Sequence, residues 1–273
     1  MLRSSHKVLT LRLGNAGYSV SAGSLRGGAW QRWPAGAATT SDAAPADAFE
    51  AQLDTLKLSD VASCSQLDVV LDSALTRVQV VRFPAGVRNP RERTAFLKAA
   101  FRNVYGRDAD SWHIAAEPAY VNEATPAVAV GEKLMAAVSA LAERHKLKLR
   151  SLRTSFSDYF NHVRRSLSAH VGAFALIEEG RVCLGLWRHR NWLAISTQAF
   201  AAADGEALTA LCAQMLARVE PPMVNGTLYI AGAIKPFAVA LQEGWNVEWL
   251  APEPVDVVDS NTGRRTRDKV TAA

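Results

Sequence analysis

One arrangement constrains this chain more than any other: a β-meander followed by alternating helices and strands occurs twice along it. In the first half, Lys7–Gly23 alternates apolar and polar residues through Val8, Leu9, Leu11 and Leu13. A turn at Gly14-Asn15-Ala16-Gly17 precedes Tyr18 and Val20, which is the period-two pattern of a β-hairpin. Ala29–Pro34 adds a third strand. Ala35–Ala48, rich in Ala, Thr, Ser, Asp and Pro, reads as a loop, and Phe49, Leu53 and Leu56 follow at helical spacing. Leu67–Leu71 and Arg77–Phe83 flank Asp72-Ser73-Ala74-Leu75 and predict a second hairpin. Asn89 is a helix N-cap with Pro90 in the first turn; the stripe Phe96, Leu97, Ala100, Phe101 and Val104 ends at Gly106. Strands at Trp112–Ala116 and Ala127–Val130, a helix Glu132–His145, a strand Lys148–Leu152 and a helix Phe156–Leu167 complete this half.

The second half repeats the logic. Ala173–Ile177, Arg181–Arg188 and Trp192–Gln198 form a three-stranded meander. A helix runs from Gly205 to Val219, stopped by Pro221-Pro222, and then come a strand Thr227–Ala231, a helix Pro236–Glu243 and a strand Val247–Leu250. An internal structural repeat without sequence identity predicts two similar α/β lobes, each with a mixed sheet and flanking helices. The predicted division is a first lobe over 1–170 with an inserted subdomain at about 68–112, a second lobe over 171–252, and a flexible basic tail over 253–273.

Composition narrows the function classes. Hydrophobic residues make up 49% and charged residues 21%, which excludes wholesale disorder. The three cysteines, Cys64, Cys183 and Cys212, are dispersed and fit neither a disulfide framework nor a zinc spacing, which predicts a reducing compartment. No apolar run reaches the ~18 residues of a membrane span, and the first residues lack a signal-peptide apolar core. The expectation is a cytoplasmic protein whose membrane contact comes through a partner. His6, His113, His145, His162, His170 and His189 show no metal-binding spacing, so no metal site is expected. Neither a Walker loop nor a Rossmann glycine pattern is present. Arg150, Arg153, Arg164 and Arg165, with Phe156, Tyr159 and Phe160 between them, are the candidate nucleic-acid patch; the competing reading turns the aromatics inward.

Meander, then helix and strand in alternation, occurring twice, is the plan of the actin/Hsp70-like fold. Four segments resemble PilM and the cytoplasmic domain of GspL, actin-like components of type IV pilus and type II secretion machines: VLTLRLGNAGYSVSAG; LDVVLDSALTRVQVVRFP with NPRERTAFLKAAF; VAVGEKLMAAVSALAERHKLKLRSLRTS; and GAFALIEEGRVCLGLWRHRNWLAIS with TLYIAGAIKPFAVALQEGWNVEWL. The match runs from Lys7 to Leu250. ATP-binding members of the fold carry Asp-x-Gly in the first hairpin, and that carboxylate organises Mg²⁺. Here Gly14 is kept, but Arg12 stands in the Asp position, and a guanidinium cannot ligate a cation. The second phosphate hairpin is reduced to Ile177-Glu178-Glu179-Gly180, where Glu178 is the remaining acid, and the adenosine-side Gly-Gly is reduced to Gly232.

What the resemblance implies is therefore a scaffold with a degenerate nucleotide site at Arg12, Gly14, Glu178, Gly180 and Gly232, and no cofactor. Its partners would be a single-pass inner-membrane assembly protein, held by its cytoplasmic tail, and an assembly ATPase. The tail would lie in a groove between the opening sheet and the inserted subdomain, lined by Val80, Arg82, Phe83 and Pro84. Two alternatives stand beside this reading: an active actin-like ATPase or sugar-kinase relative binding Mg-ATP, and a nucleic-acid-binding protein.

Overall fold

Lys7–Leu13 (β1) and Gly17–Ala22 (β2) pair antiparallel, with Leu13 opposite Tyr18, as the alternating pattern requires. Trp30–Arg32 (β3) continues the meander beside β2. The computed structural model describes residues 7–14, 17–22, 30–32, 64–87, 89–117, 123–189, 191–201, 204–232, 236–250, 257–258 and 265–266. The loop expected at Ala35–Ala48 and the helix at Phe49–Leu56 lie outside them. The chain divides into two compact units, one of residues 1–75, 132–155 and 253–273, the other of residues 76–131 and 156–252.

Cys64–Leu71 (β4) is where the hairpin expectation fails. It pairs in parallel with β1 on one side and with Lys148–Thr154 (β8) on the other. Its run LDVVL is buried at every residue, so the strand has no polar face to turn to water; continuous apolar runs of this kind belong to the centre of parallel sheets. The chain then leaves the sheet. Asp72 Oδ1 accepts hydrogen bonds from the backbone N–H of Ala74 (3.0 Å) and Leu75 (3.2 Å), forming a turn that redirects it. Glu132–Arg144, the helix returning to β8, buries Leu134, Val138, Leu141 and Ala142.

Thr76–Arg82 (β5), Trp112–Ala116 (β6) and Ala124–Gly131 (β7) form an antiparallel three-stranded sheet in the order β5-β7-β6. The insertion thus spans 76–131 and groups with the second unit, rather than 68–112 within the first. Period-two alternation explains its two faces. Val78, Val80 and Val128 join the core beneath the second unit's large sheet, while Val81, Phe83, Ala127 and Ala129 pack with helix α1 (Pro90–Tyr105). A capping box starts α1: Asn89 Oδ1 accepts from Glu92 N at 2.9 Å and Glu92 Oε2 from Asn89 N at 3.3 Å. The helix Glu132–Arg144 is α2, and Ser155–Val163 is α3.

Val171–Glu178 (β9), Arg181–Arg188 (β10) and Asn191–Ala199 (β11) form the second meander. Gly205–Leu216 (α4) leads to Gly226–Gly232 (β12), parallel to β9, and Trp245–Trp249 (β13), parallel to β12. The five-stranded order β11-β10-β9-β12-β13 repeats β3-β2-β1-β4-β8 strand for strand, so the repeat expected from the sequence is a repeat of topology. One expected helix is missing: residues 236–242 are neither helix nor strand. Phe237, Val239 and Leu241 pack on the core at every second residue, and Ala240 N donates to Thr209 Oγ1 of α4 at 3.2 Å. A helix would turn Val239 about 200° away from Phe237; an extended chain puts all three on one side. The tail, expected to be flexible, contributes Val257–Val258 (β14) and Arg265–Thr266 (β15) to the first sheet beyond β3.

Candidate functional site

In the first unit Arg12 lies on β1 between Ser19 of β2 and Val70 of β4. Gly14 N donates to Gly17 O at 2.8 Å and closes the hairpin, while Asp72 N donates to Leu13 O at 2.9 Å. Asp72 therefore stands beside the end of β1, but its Oδ1 caps the turn after β4. In the second unit Glu178 is the cross-strand partner of Arg181. Gly180 adopts φ 75°, which fits it for the tight β9–β10 turn, and its carbonyl accepts from Phe200 N at 2.9 Å. Gly232 adopts φ 144°, and a Cβ there would lie 2.2 Å from the Ile177 carbonyl. The sheet's own backbone fills the space that the missing side chain leaves. Three of the five motif residues thus have roles within their own sheets: Gly14 and Gly180 in turns, Gly232 in a backbone crossing.

The buried carboxylate of the first unit is elsewhere. Asp68, fully buried in the middle of β4, is held by Arg150 Nε (2.8 Å) and Ser151 Oγ (2.8 Å) on its Oδ1. A second bond from Arg150 Nη2 to Oδ2 completes a bidentate pair, and Arg153 Nη2 lies 3.4 Å from the same oxygen. The β4–β8 register shifts at this point, with Leu67 opposite Leu149 but Asp68 opposite Ser151. Arg150 is the extra residue, and the bulge lets it and Ser151 reach one carboxylate. Burial pushes the Asp68 carboxyl up. The hydrogen bonds from Arg150 and Ser151, with the charges of Arg150 and Arg153, outweigh it and hold the group below its ordinary value. Sequence reasoning missed this cluster. The available signal was an Asp inside an otherwise apolar strand, since a buried acid demands a cationic partner.

The groove residues separate. Arg82 and Pro84 are exposed and Val80 is half-buried. Phe83 is 1% exposed, packs against the tilted ring of Phe96 at 5.4 Å between centroids and carries the Arg93 guanidinium 5.0 Å above its ring. Phe83 is a core residue of the inserted sheet. The proposed nucleic-acid patch also comes apart. Phe156, Tyr159 and Phe160 pack in the second unit's core with Phe174, Trp187 and Trp192, the inward reading, while Arg150 and Arg153 serve Asp68. Cys183 and Cys212 are buried, and burial pushes the Cys212 thiol up to about 12, which makes it a poor nucleophile. Among the described residues no group of His, Cys, Asp and Glu is placed to hold a metal ion, and no helix is long and apolar enough to cross a membrane.

Two sheets of order 3-2-1-4-5, each a meander extended by two parallel strands, define the actin-like α/β fold. No protein-family model matches this chain, and no curated protein does. Solved structures match over most of its length. The cytoplasmic domain of EpsL, an inner-membrane component of the type II secretion system of Vibrio cholerae, is similar over 90% of this chain and 90% of its own, with TM-score 0.54 and 13% identity. The PilM–PilN type IV pilus biogenesis complex contains a chain similar over 83% and 81%, with TM-score 0.59 and 14% identity. A Bacteroides thetaiotaomicron protein of actin-like ATPase fold and unknown function is similar over 86% of each chain, with TM-score 0.56 and 10% identity. At such identities the likeness is one of fold, and the fold is the one expected from the sequence.

Proposed function

We propose that this chain is a non-catalytic cytoplasmic scaffold of a type IV pilus- or type II secretion-like envelope machine, working without a nucleotide. It would hold the cytoplasmic tail of a single-pass inner-membrane protein and contact an assembly ATPase. The observation that carries this reading is Arg12. Arg12 lies on the central strand of a five-strand order present in both units, and by the sequence resemblance it takes the position where ATP-binding members hold a carboxylate. The similarity to EpsL and to the PilM–PilN complex supports the choice of machine.

The tail-binding surface we assign to the exposed end of β5, at Arg82 and Pro84 with Val80 beside them. An extended peptide would place a carboxylate on Arg82 and its register would be fixed by main-chain hydrogen bonds. The test is binding of the tails of single-pass proteins encoded near this chain, with wild type compared to Arg82→Glu. The expected result is capture of one tail and a roughly tenfold weaker Kd in the variant. Capture of none of the tails sinks the scaffold reading. Capture unaffected by Arg82→Glu and mapped to another surface refutes the β5 assignment alone.

A further inference from the structure

Residues 144–153 read RHKLKLRSLR, five Lys or Arg in ten residues with no acid, a charge equal to the whole chain's net +5. The rest of the chain is therefore neutral in sum. The fold puts the segment at the end of α2, through the turn and along β8. β8 is the terminal strand of its sheet, hydrogen-bonded to β4 on one side and to no other strand among the described residues. Arg144, Lys146, Lys148 and Arg150 are exposed. Arg150 is held by Asp68 of the neighbouring strand β4 and remains half-exposed, so one guanidinium of this strand is already ordered before any partner arrives.

An edge strand carrying cations is commonly a guard against unwanted strand pairing. Here Arg144, Lys146 and Lys148 accompany an immobilised arginine on a bulge, more cations than that role requires. Repulsion among them is relieved by a partner of opposite charge. We infer that the β8 edge is a docking site for an acidic, extended segment of a partner protein, which adds as a strand and sets its carboxylates against Lys146, Lys148 and Arg150. A nucleic acid fits less well: stacking platforms require exposed aromatics, and the nearest in sequence, Phe156, is buried in the other unit's core. This surface is distinct from the β5 end assigned above, and either assignment can fail without the other.

The test uses the full chain and a fluorescent peptide of alternating Glu and Val. Three comparison probes separate the sources of binding: the same peptide with alternate amides N-methylated, a single-stranded oligonucleotide of equal charge, and phosphatidylserine vesicles. The expected result is salt-sensitive binding of the plain peptide, weakened roughly tenfold by N-methylation and by the pair Lys146→Asp with Lys148→Glu. Asp is chosen at 146 because Lys146 has φ 54°, which Asp tolerates. The N-methylated probe is read on wild-type protein, so the result stands whether or not the variant folds. Absence of peptide binding, or equal binding of the methylated peptide, the oligonucleotide or the vesicles, overturns the inference. So does an unchanged Kd in a folded variant.

Discussion

Asp68 and Gly232 show how differently two residues can resist substitution. Asp68 is buried with three charged or polar partners, and its stability contribution depends on ionisation. Its folded pKa lies below its ordinary value, so the stabilisation is full above the unfolded carboxylate pKa of about 4 and is lost as pH falls through the lower folded value. Asp68→Asn keeps the shape and removes the charge. Because Arg150 is half-exposed and can return to water, the expected cost near neutral pH is about 1–3 kcal/mol. Urea denaturation should show the gap between wild type and variant narrowing at acidic pH; a gap independent of pH argues against the ion pair. Gly232 is limited by space and by backbone. With φ 144° and the Ile177 carbonyl 2.2 Å from a built Cβ, Gly232→Ala should destabilise by about 1–3 kcal/mol. Gly180, where a Cβ would meet nothing within 4 Å, should accept Asn at a far smaller cost. Equal costs at both positions would contradict the close-approach account of Gly232.

Strands and helices were legible wherever a single period dominated. Both meanders, α1 with its Asn89 cap and α2 follow the patterns seen in the sequence, because period-two and 3.6-residue hydrophobic spacing each report which side an element buries. β4 was misread because a strand buried on both faces carries no alternation, and proximity to Arg77–Phe83 then suggested a hairpin. The segment 236–242 was misread for the opposite reason. Its alanines are compatible with a helix, whereas the alternation of Phe237, Val239 and Leu241 with smaller or polar residues was the signal to follow. This yields a test at the element scale. Val239→Asp should cost about 1–3 kcal/mol, since a charge would face the core, while Ala238→Asp and Ala240→Asp, both exposed, should be near neutral. A helical segment would distribute these costs at a spacing of three to four. Of the site residues, Arg12 was read directly, since the identity of a side chain needs no coordinates. Asp68 was not, because its partners come from a strand 82 residues further on.

At the scale of the molecule, the question is whether a complete actin-like fold without a carboxylate on its first strand still takes a nucleotide. The two meanders and their parallel extensions bury apolar residues, with Leu9, Leu11, Leu13, Leu67, Val69, Val70 and Leu71 buried in one unit and Ala173–Ile177 with Leu228 and Ile230 around the other unit's large sheet. A ligand that binds only the folded state must stabilise it, by about 2.7 kcal/mol at a hundredfold excess over Kd. The expected outcome is that millimolar Mg-ATP leaves the unfolding midpoint unchanged and that phosphate release does not exceed a mock preparation. Arg12→Asp alone should leave both results as they are, because Glu178 faces Arg181 across its hairpin and the space at Gly232 is filled by the Ile177 carbonyl. A rise in midpoint with Mg-ATP on the wild-type chain, accompanied by turnover, would establish the ATPase alternative. A rise seen only with Arg12→Asp would mean that the site is intact except for one residue, and that Glu178 and Gly232 still serve a nucleotide.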